Sequence, residues 1–402
     1  MTVLFVSPMD LKVPQGSATN EQETIGCLHE DFRVVVVSFR YIRFKERDED
    51  ALTALKICKH IEIPTIYKWG LHLMQVLLFA TALALAFPVM KRMFRLDVVF
   101  VRDPIACAVL IPIARLLRIP LIYRVLSVAH LAQEPGVKPV EVPLVRRFLR
   151  GTELLALLKS NLVLTATKRV ANSIPRDEVF VVPFTVDESF YNSSTTTEPR
   201  SGSTFVVGYA GAFSAWYDFR PFFSILKNLR EQIPGLTARL YGMGENRIQQ
   251  MAKEMGVADC VVVNPAVPRA QMPSVLRSFD VLLVPLADRV PGLPIKVFEA
   301  FAAGVPVILT SGIEREPFKD GVNCLIVPNR PHFLSKAILR IARDADLRQK
   351  LIQGGVQLVH SNKRCVVSKE YARVVKSLVH KRNSYEIDMS TCPILSSGQP
   401  SE

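Results

Sequence analysis

From Phe205 to Thr310 the chain alternates short apolar, β-branched runs with helical stretches, and this alternation restricts it more than any other feature. Strands read at FVVGYA, 237–241, 260–263 and 280–285, and helices at 219–232, 245–255 and 271–278. A strand that returns to its neighbour through a helix gives parallel pairing, so this half is a parallel α/β sheet covered on both faces. The first half repeats the pattern more loosely. Strands are expected at 2–7, 34–39, 97–102, 119–125, 162–165 and 179–182, and helices at 105–117 and 143–160. Four hundred and two residues suit two such domains. The fold class is therefore α/β, with two Rossmann-like, doubly wound parallel sheets. The expected boundaries are 1–190 for the first domain, 191–203 for a polar linker (SSTTTEPRSGS at its heart) and 204–382 for the second. Residues 331–354 and 363–381 read as helices. The tail 383–402 holds few large apolar residues and reads as disordered.

The chemistry concentrates in PGLPIKVFEAFAAGVPVILTSG, residues 291–312. Pro294 to Ala303 reads as a short helix with Pro at its first position and Gly304 just past its end; Val305 to Thr310 reads as a buried strand. Lys296 and Glu299 share one helix face. A lysine in the first turn opposes the helix dipole, and an anion bound there removes the conflict. Glu299, one turn deeper, can accept hydrogen bonds from sugar hydroxyls, as acidic residues do with a ribose. The plain alternative is a helix end with a solvated Lys–Glu pair.

The motif P-x-K-x-x-E-A-x-A-A-G-x-P-V-I, residues 294–308, resembles the donor-binding segment of nucleotide-sugar glycosyltransferases of the GT-B fold, family 4 and its bacterial surface-polysaccharide relatives. Gly208-Tyr-Ala-Gly211 is similar to that family's first strand and glycine turn in the second domain. Leu240-Tyr-Gly242-Met-Gly244 resembles its strand ending in G-x-G, Asp280 to Pro285 the strand before the donor helix, and VVPFTVDESF, 181–190, its interdomain segment. Pro8 to Asn20, a loop containing Gly16, resembles its glycine loop facing the cleft.

The resemblance implies transfer of a hexose from a nucleoside-diphosphate sugar, UDP- or GDP-linked, to a cell-surface polysaccharide or glycolipid precursor, with the acceptor on the first domain. It implies donor contacts at Gly16, Gly211, Gly242, Gly244, Pro265, Lys296 and Glu299. Lys296 would stabilise the departing diphosphate, with no metal required. His130 and Glu134, in the loop after the 119–125 strand, are candidate acceptor-site or base residues, with Asp103 a further candidate. Asp103-Pro104 also reads as an ordinary helix cap. The sequence departs from the family in two places. Pro291 stands where many members carry the first Glu of E-x7-E. The stretch 211–218, GAFSAWYD, lacks the usual Arg and Lys and looks closer to a teichuronate-type branch; Arg220 and Lys227 are alternative diphosphate partners. The first departure motivates a rival reading, a non-catalytic nucleotide-sugar or glycan-binding subunit of an assembly complex.

A net charge of +13 favours anionic partners, but no recognition motif for nucleic acid accompanies it. The seven cysteines form no C-x-x-C or Cys/His cluster, so neither a disulfide framework nor a zinc site is expected. Asp48-Glu-Asp50 has the spacing of a metal-binding D-x-D, and also reads as a solvated charged loop. The N-terminus reads as a first strand, not a signal peptide. Leu71 to Met90 is apolar and free of Asp, Glu, Lys and Arg. It reads as a packed crossover helix, an in-plane membrane helix or a span. Helix 143–160 carries Arg146, Arg147 and Arg150 among apolar residues and suits an anionic membrane surface. A cytoplasmic protein attached to the inner face of the membrane is the expected setting.

Overall fold

The computed structural model describes residues 1–13, 16–42, 47–50, 52–55, 57–66, 72–126, 142–191, 204–287, 294–310 and 316–380. The first half contains β1 (Thr2–Asp10), α1 (Gly16–His29), β2 (Arg33–Tyr41), β3 (Lys59–Thr65), α2 (His72–Phe94), β4 (Val98–Val101), α3 (Pro104–Leu116), β5 (Leu121–Val125), α4 (Pro143–Lys159), β6 (Leu162–Thr165), α5 (Lys168–Ser173) and β7 (Phe180–Val181). The second half contains β8 (Val206–Ala210), α6 (Arg220–Phe223), α7 (Leu226–Gln232), β9 (Thr237–Tyr241), α8 (Glu245–Glu254), β10 (Val261–Asn264), α9 (Met272–Arg277), β11 (Val281–Val284), α10 (Ile295–Ala302), β12 (Val307–Thr310), β13 (Leu325–Val327), α11 (Pro331–Arg343), α12 (Ala345–Val359) and α13 (Arg364–His380).

Two parallel sheets result. The first runs β3-β2-β1-β4-β5-β6-β7 and the second β10-β9-β8-β11-β12-β13. Each sheet reverses its winding once, between β1 and β4 and between β8 and β11. In doubly wound sheets the crevice outside the carboxyl ends of the strands at such a reversal is where ligands sit. Both faces of each sheet are covered. In the first, α2, α3 and α4 share one core, and α1 packs with α13 on the other. Helix α13 is far along the chain, yet Val367, Tyr371, Val374 and Val375 are buried against the first sheet. The last helix thus returns to the first domain.

Several expectations change. The 8–20 loop is shorter than read: β1 pairs with β2 as far as Asp10, and residues 16–20 already belong to α1. The sequence hid α1 because its buried face is polar, with Asn20, Glu21, Gln22 and Glu23 all inside. An apolar 3.6-residue period is therefore missing. Strand β3, KHIEIPT, was unread because it is an edge strand with charges and a proline. The expected helices at 219–232 and 331–354 are each broken in two. At the second break Asp344 accepts from the Leu347 N–H at 2.8 Å and caps the next helix.

The long apolar stretch is α2. One face packs into the first core through Val76, Phe79, Ala80, Leu83, Ala84 and Phe87. The other face exposes Met74, Leu78, Leu85, Val89 and Met93. It is long and apolar enough to cross a membrane, and here it is the crossover between β3 and β4, as packing on the sheet requires.

Candidate functional site

The second sheet reverses between β8 and β11, and two short segments meet there. The turn after β8 contains Gly211, and α10 follows β11. Helix α10 starts at Ile295 with Pro294 as its N-cap, one residue later than read, and ends before Gly304, whose φ of 72° closes it. Lys296 lies in its first turn. Its ammonium donates to Tyr209 Oη at 2.7 Å, and that hydroxyl donates to the Ala212 carbonyl at 2.8 Å. The same ammonium lies 3.9 Å from the Tyr209 ring centroid and 4.2 Å from that of Tyr217. Two π faces partly replace the water it has lost. Burial nevertheless pushes this lysine down to about 7, against a counter-pull from Glu299. Among the described residues no carboxylate forms an ion pair with it. Such a lysine is poised for an anion from outside the chain.

Gly211 is shaped around Lys296. Its φ is +135°, and a Cβ there would lie 2.4 Å from the lysine Nζ. Gly242, after β9, packs against Gly211: a Cβ at 242 would lie 1.9 Å from the Gly211 carbonyl oxygen. Gly244 takes φ 84° and opens α8. Pro265 follows β10, exposed, on the same carboxyl edge of the sheet. Of these residues, Lys296, Gly211 and Gly242 meet in direct approach. Gly16 opens α1 in the first domain, with open space where a Cβ would be. It does not make the tight approach seen at Gly211.

Glu299 is buried on the same helix, but its Oε1 accepts from Arg269 Nη1 at 2.6 Å. The plain alternative of a solvated Lys–Glu pair fails: each of the two has its own partner. Arg269, Tyr209 and Tyr217 were not identified as site residues from the sequence. Tyr209 lies inside the GYAG motif, and Arg269 lies four residues beyond Pro265, so their positions were visible and their contacts were not. Asp48 is likewise more than a solvated loop residue, since its Oδ2 accepts from the Arg269 backbone N–H at 3.0 Å. Arg220 pairs with Asp218 at 3.5 Å, and Lys227 is exposed near Gly256.

In the first domain Asp103 caps α3, accepting at 2.9 Å from both Ile105 and Ala106 N–H. Burial raises its carboxyl to about 6 although these N–H groups favour the anion. The cap reading accounts for its geometry. His130, Glu134 and Pro291 lie outside the described residues, as do the linker 192–203 and the tail from 381.

Comparisons with known proteins bear on the fold and on the second domain. Residues 204–344 match the family described as "Glycosyl transferases group 1". The chain is similar in structure to HepE of Anabaena, solved in complex with UDP-glucose. That likeness has a TM-score of 0.67 at 19% identity, over 94% of this chain and 100% of the other. Sucrose-phosphate synthase of Thermosynechococcus elongatus gives a TM-score of 0.72 at 15% identity, over 94% and 99%. A curated relative, a GDP-mannose-dependent alpha-(1-6)-phosphatidylinositol monomannoside mannosyltransferase of Mycolicibacterium smegmatis, is 34% identical over 110 residues. That match covers 25% of this chain and 29% of the relative, so the chain spans under a third of that relative's length.

Proposed function

For a chain that has the GT-B fold and whose residues 204–344 match the glycosyl transferases group 1 family, we propose that the protein transfers a hexose from a nucleoside-diphosphate sugar to a cell-surface polysaccharide or glycolipid precursor. The observation that carries this reading is Lys296, held in the first turn of α10 beside Gly211 with no carboxylate paired to it among the described residues. Breaking the sugar–phosphate bond leaves negative charge on the diphosphate. A preorganised ammonium and the free N–H groups of a helix start stabilise that charge where it develops. Glu299 takes the ribose hydroxyls. UDP and GDP are the candidate leaving groups, and the HepE complex with UDP-glucose supports the first. The acceptor would bind the first domain, with His130, Glu134 or Asp103 as the group that takes its proton.

Calorimetric titration with UDP and GDP tests this, followed by donor hydrolysis without acceptor. The expected result is binding of one diphosphate and slow release of free sugar. Binding without any hydrolysis favours the alternative, a nucleotide-sugar-binding subunit, which Pro291 in place of a glutamate motivates. Glu299→Gln should weaken binding of the ribonucleotide more than of its 2′-deoxy analogue. Equal losses for the two would remove Glu299 from the ribose.

The setting we propose is the cytoplasmic face of a membrane. Helices α2, α3 and α4 lie side by side on one face of the first sheet. Their outer surface exposes the α2 stripe, Leu116 at 80% and Leu144 at 77%. Arg146, Arg147 and Arg150 are exposed on α4. Apolar side chains entering the headgroup region beside arginines suit an anionic bilayer. Flotation should recover the protein with anionic vesicles, and less of it as salt rises. Equal recovery with neutral and anionic vesicles would remove the electrostatic claim.

A further inference from the structure

Arg269 belongs to the second domain, but most of its partners do not. Its Nη1 donates to Glu299 Oε1 at 2.6 Å and its Nη2 to Glu23 Oε1 of α1 at 3.1 Å. Its backbone N–H donates to Asp48. Its guanidinium lies 4.5 Å from the centroid of the Phe190 ring. Glu23 is held from its other side by Arg364, the first residue of α13, at 2.8 Å, and Arg364 also pairs with Asp187 at 2.5 Å. Five charges therefore run in a row, Glu299, Arg269, Glu23, Arg364 and Asp187, from the donor helix through α1 to the chain segment that joins the domains. Two of its three carboxylates are almost dry: the side chains of Glu299 and Glu23 are 8% and 5% exposed. Helix α1 makes room for the row. A Cβ at Gly26 would lie 3.1 Å from the Arg364 guanidinium.

Each terminal nitrogen of Arg269 serves one carboxylate, and each of these carboxylates gives it one oxygen. Glu299 keeps its second oxygen for another donor. We propose that Arg269 is a positioning residue for the donor's ribose and the link through which the first domain responds to an occupied donor site. It holds Glu299 in one rotamer, so that the free oxygen meets the ribose hydroxyls, and it does so only while Glu23 and Asp48 hold it from the first domain. The proposal rests on the nucleotide-sugar reading above. If the nucleotide tightens Glu299 in the row, linkage requires that loosening the far end of the row loosen the nucleotide. A tie that merely joins two domains makes no such demand.

The test is the affinity for UDP of variants in the other domain. Glu23→Gln should lower UDP affinity about fivefold or more, the low end of typical couplings between sites, and 2′-deoxy-UDP affinity less. Arg269→Gln should cost more, Arg269→Lys less than Arg269→Gln. The double variant should lose no more than Arg269→Gln alone, because the two act through one contact. Should Glu23→Gln fail to fold, Asp48→Ala, at a partly exposed position, carries the same test. Wild-type UDP affinity in the folded Glu23→Gln or Asp48→Ala variant, even with a lower melting temperature, would overturn the proposal and leave an ordinary interdomain tie. Failure of the wild type to bind either UDP or GDP would instead overturn the nucleotide-sugar reading, and this proposal with it.

Discussion

Lys296→Ala should lower donor turnover by 10²–10³-fold, about 2–4 kcal/mol in the barrier, the range for losing one preorganised charge stabiliser. The loss should fall mainly on turnover and less on the affinity for the intact donor, because charge builds on the diphosphate as the bond breaks. The site adds a pH signature. Burial holds this lysine at about 7, below its ordinary 10.5. In the empty protein its charge is present below about pH 7 and is lost as pH rises through that value. A bound diphosphate favours the charged form, so near pH 8 binding should draw a proton from the buffer. Titrations in buffers of different ionisation heat measure that uptake, and Lys296→Met should abolish it. The sign for stability is the reverse of a stabilising pair. Between about 7 and 10.5 the unfolded chain holds this proton more tightly than the fold does, so the cost of burying the lysine fades as pH climbs through that window. Lys296→Met should therefore keep or raise the melting temperature at pH 7. Unchanged turnover in the alanine variant, or no buffer dependence in the wild type, would take Lys296 out of the chemistry.

The second large effect is expected at Gly211. Its φ of +135° lies where side chains are rarely tolerated, and a Cβ would press on the Lys296 ammonium at 2.4 Å. Gly211→Ala therefore combines a backbone cost of order 1–3 kcal/mol with displacement of the lysine from its bed between Tyr209 and Tyr217. The variant should melt earlier and lose donor turnover as severely as Lys296→Ala does. Adding Lys296→Ala to it should cost little more turnover, since both changes remove one interaction. Gly242→Ala offers a contrast. Its Cβ would strike the Gly211 carbonyl at 1.9 Å, which is backbone and cannot swing aside. There the loss should appear first in stability. Full stability and turnover in Gly211→Ala would mean that the turn after β8 relaxes freely and does not shape the site.

What could be read from the sequence and what could not divide along physical lines. Elements whose buried faces are apolar were legible: β6 and β9 fall on the expected residues, and α10 differs from its expected bounds by one residue at each end. Their burial is written into β-branched runs and a helical period. The glycine at 211 and the lysine at 296 were legible as types, because a positive φ and a cation at a helix start each need an unusual residue. Helix α1 was not legible, since it buries carboxylates and amides, and a buried charge is affordable only beside a partner that folding supplies. Glu23 finds Arg269 at a separation of 246 residues and Arg364 at 341. Glu299 reads as a ribose partner or as half of a solvated pair with Lys296; in the fold that lysine turns to two tyrosines, and an arginine from another loop takes one carboxylate oxygen. Local pattern determined the two sheets and α10. Only tertiary structure decided which charges meet, because Coulomb energy depends on distance in space and desolvation, and neither is written along the chain.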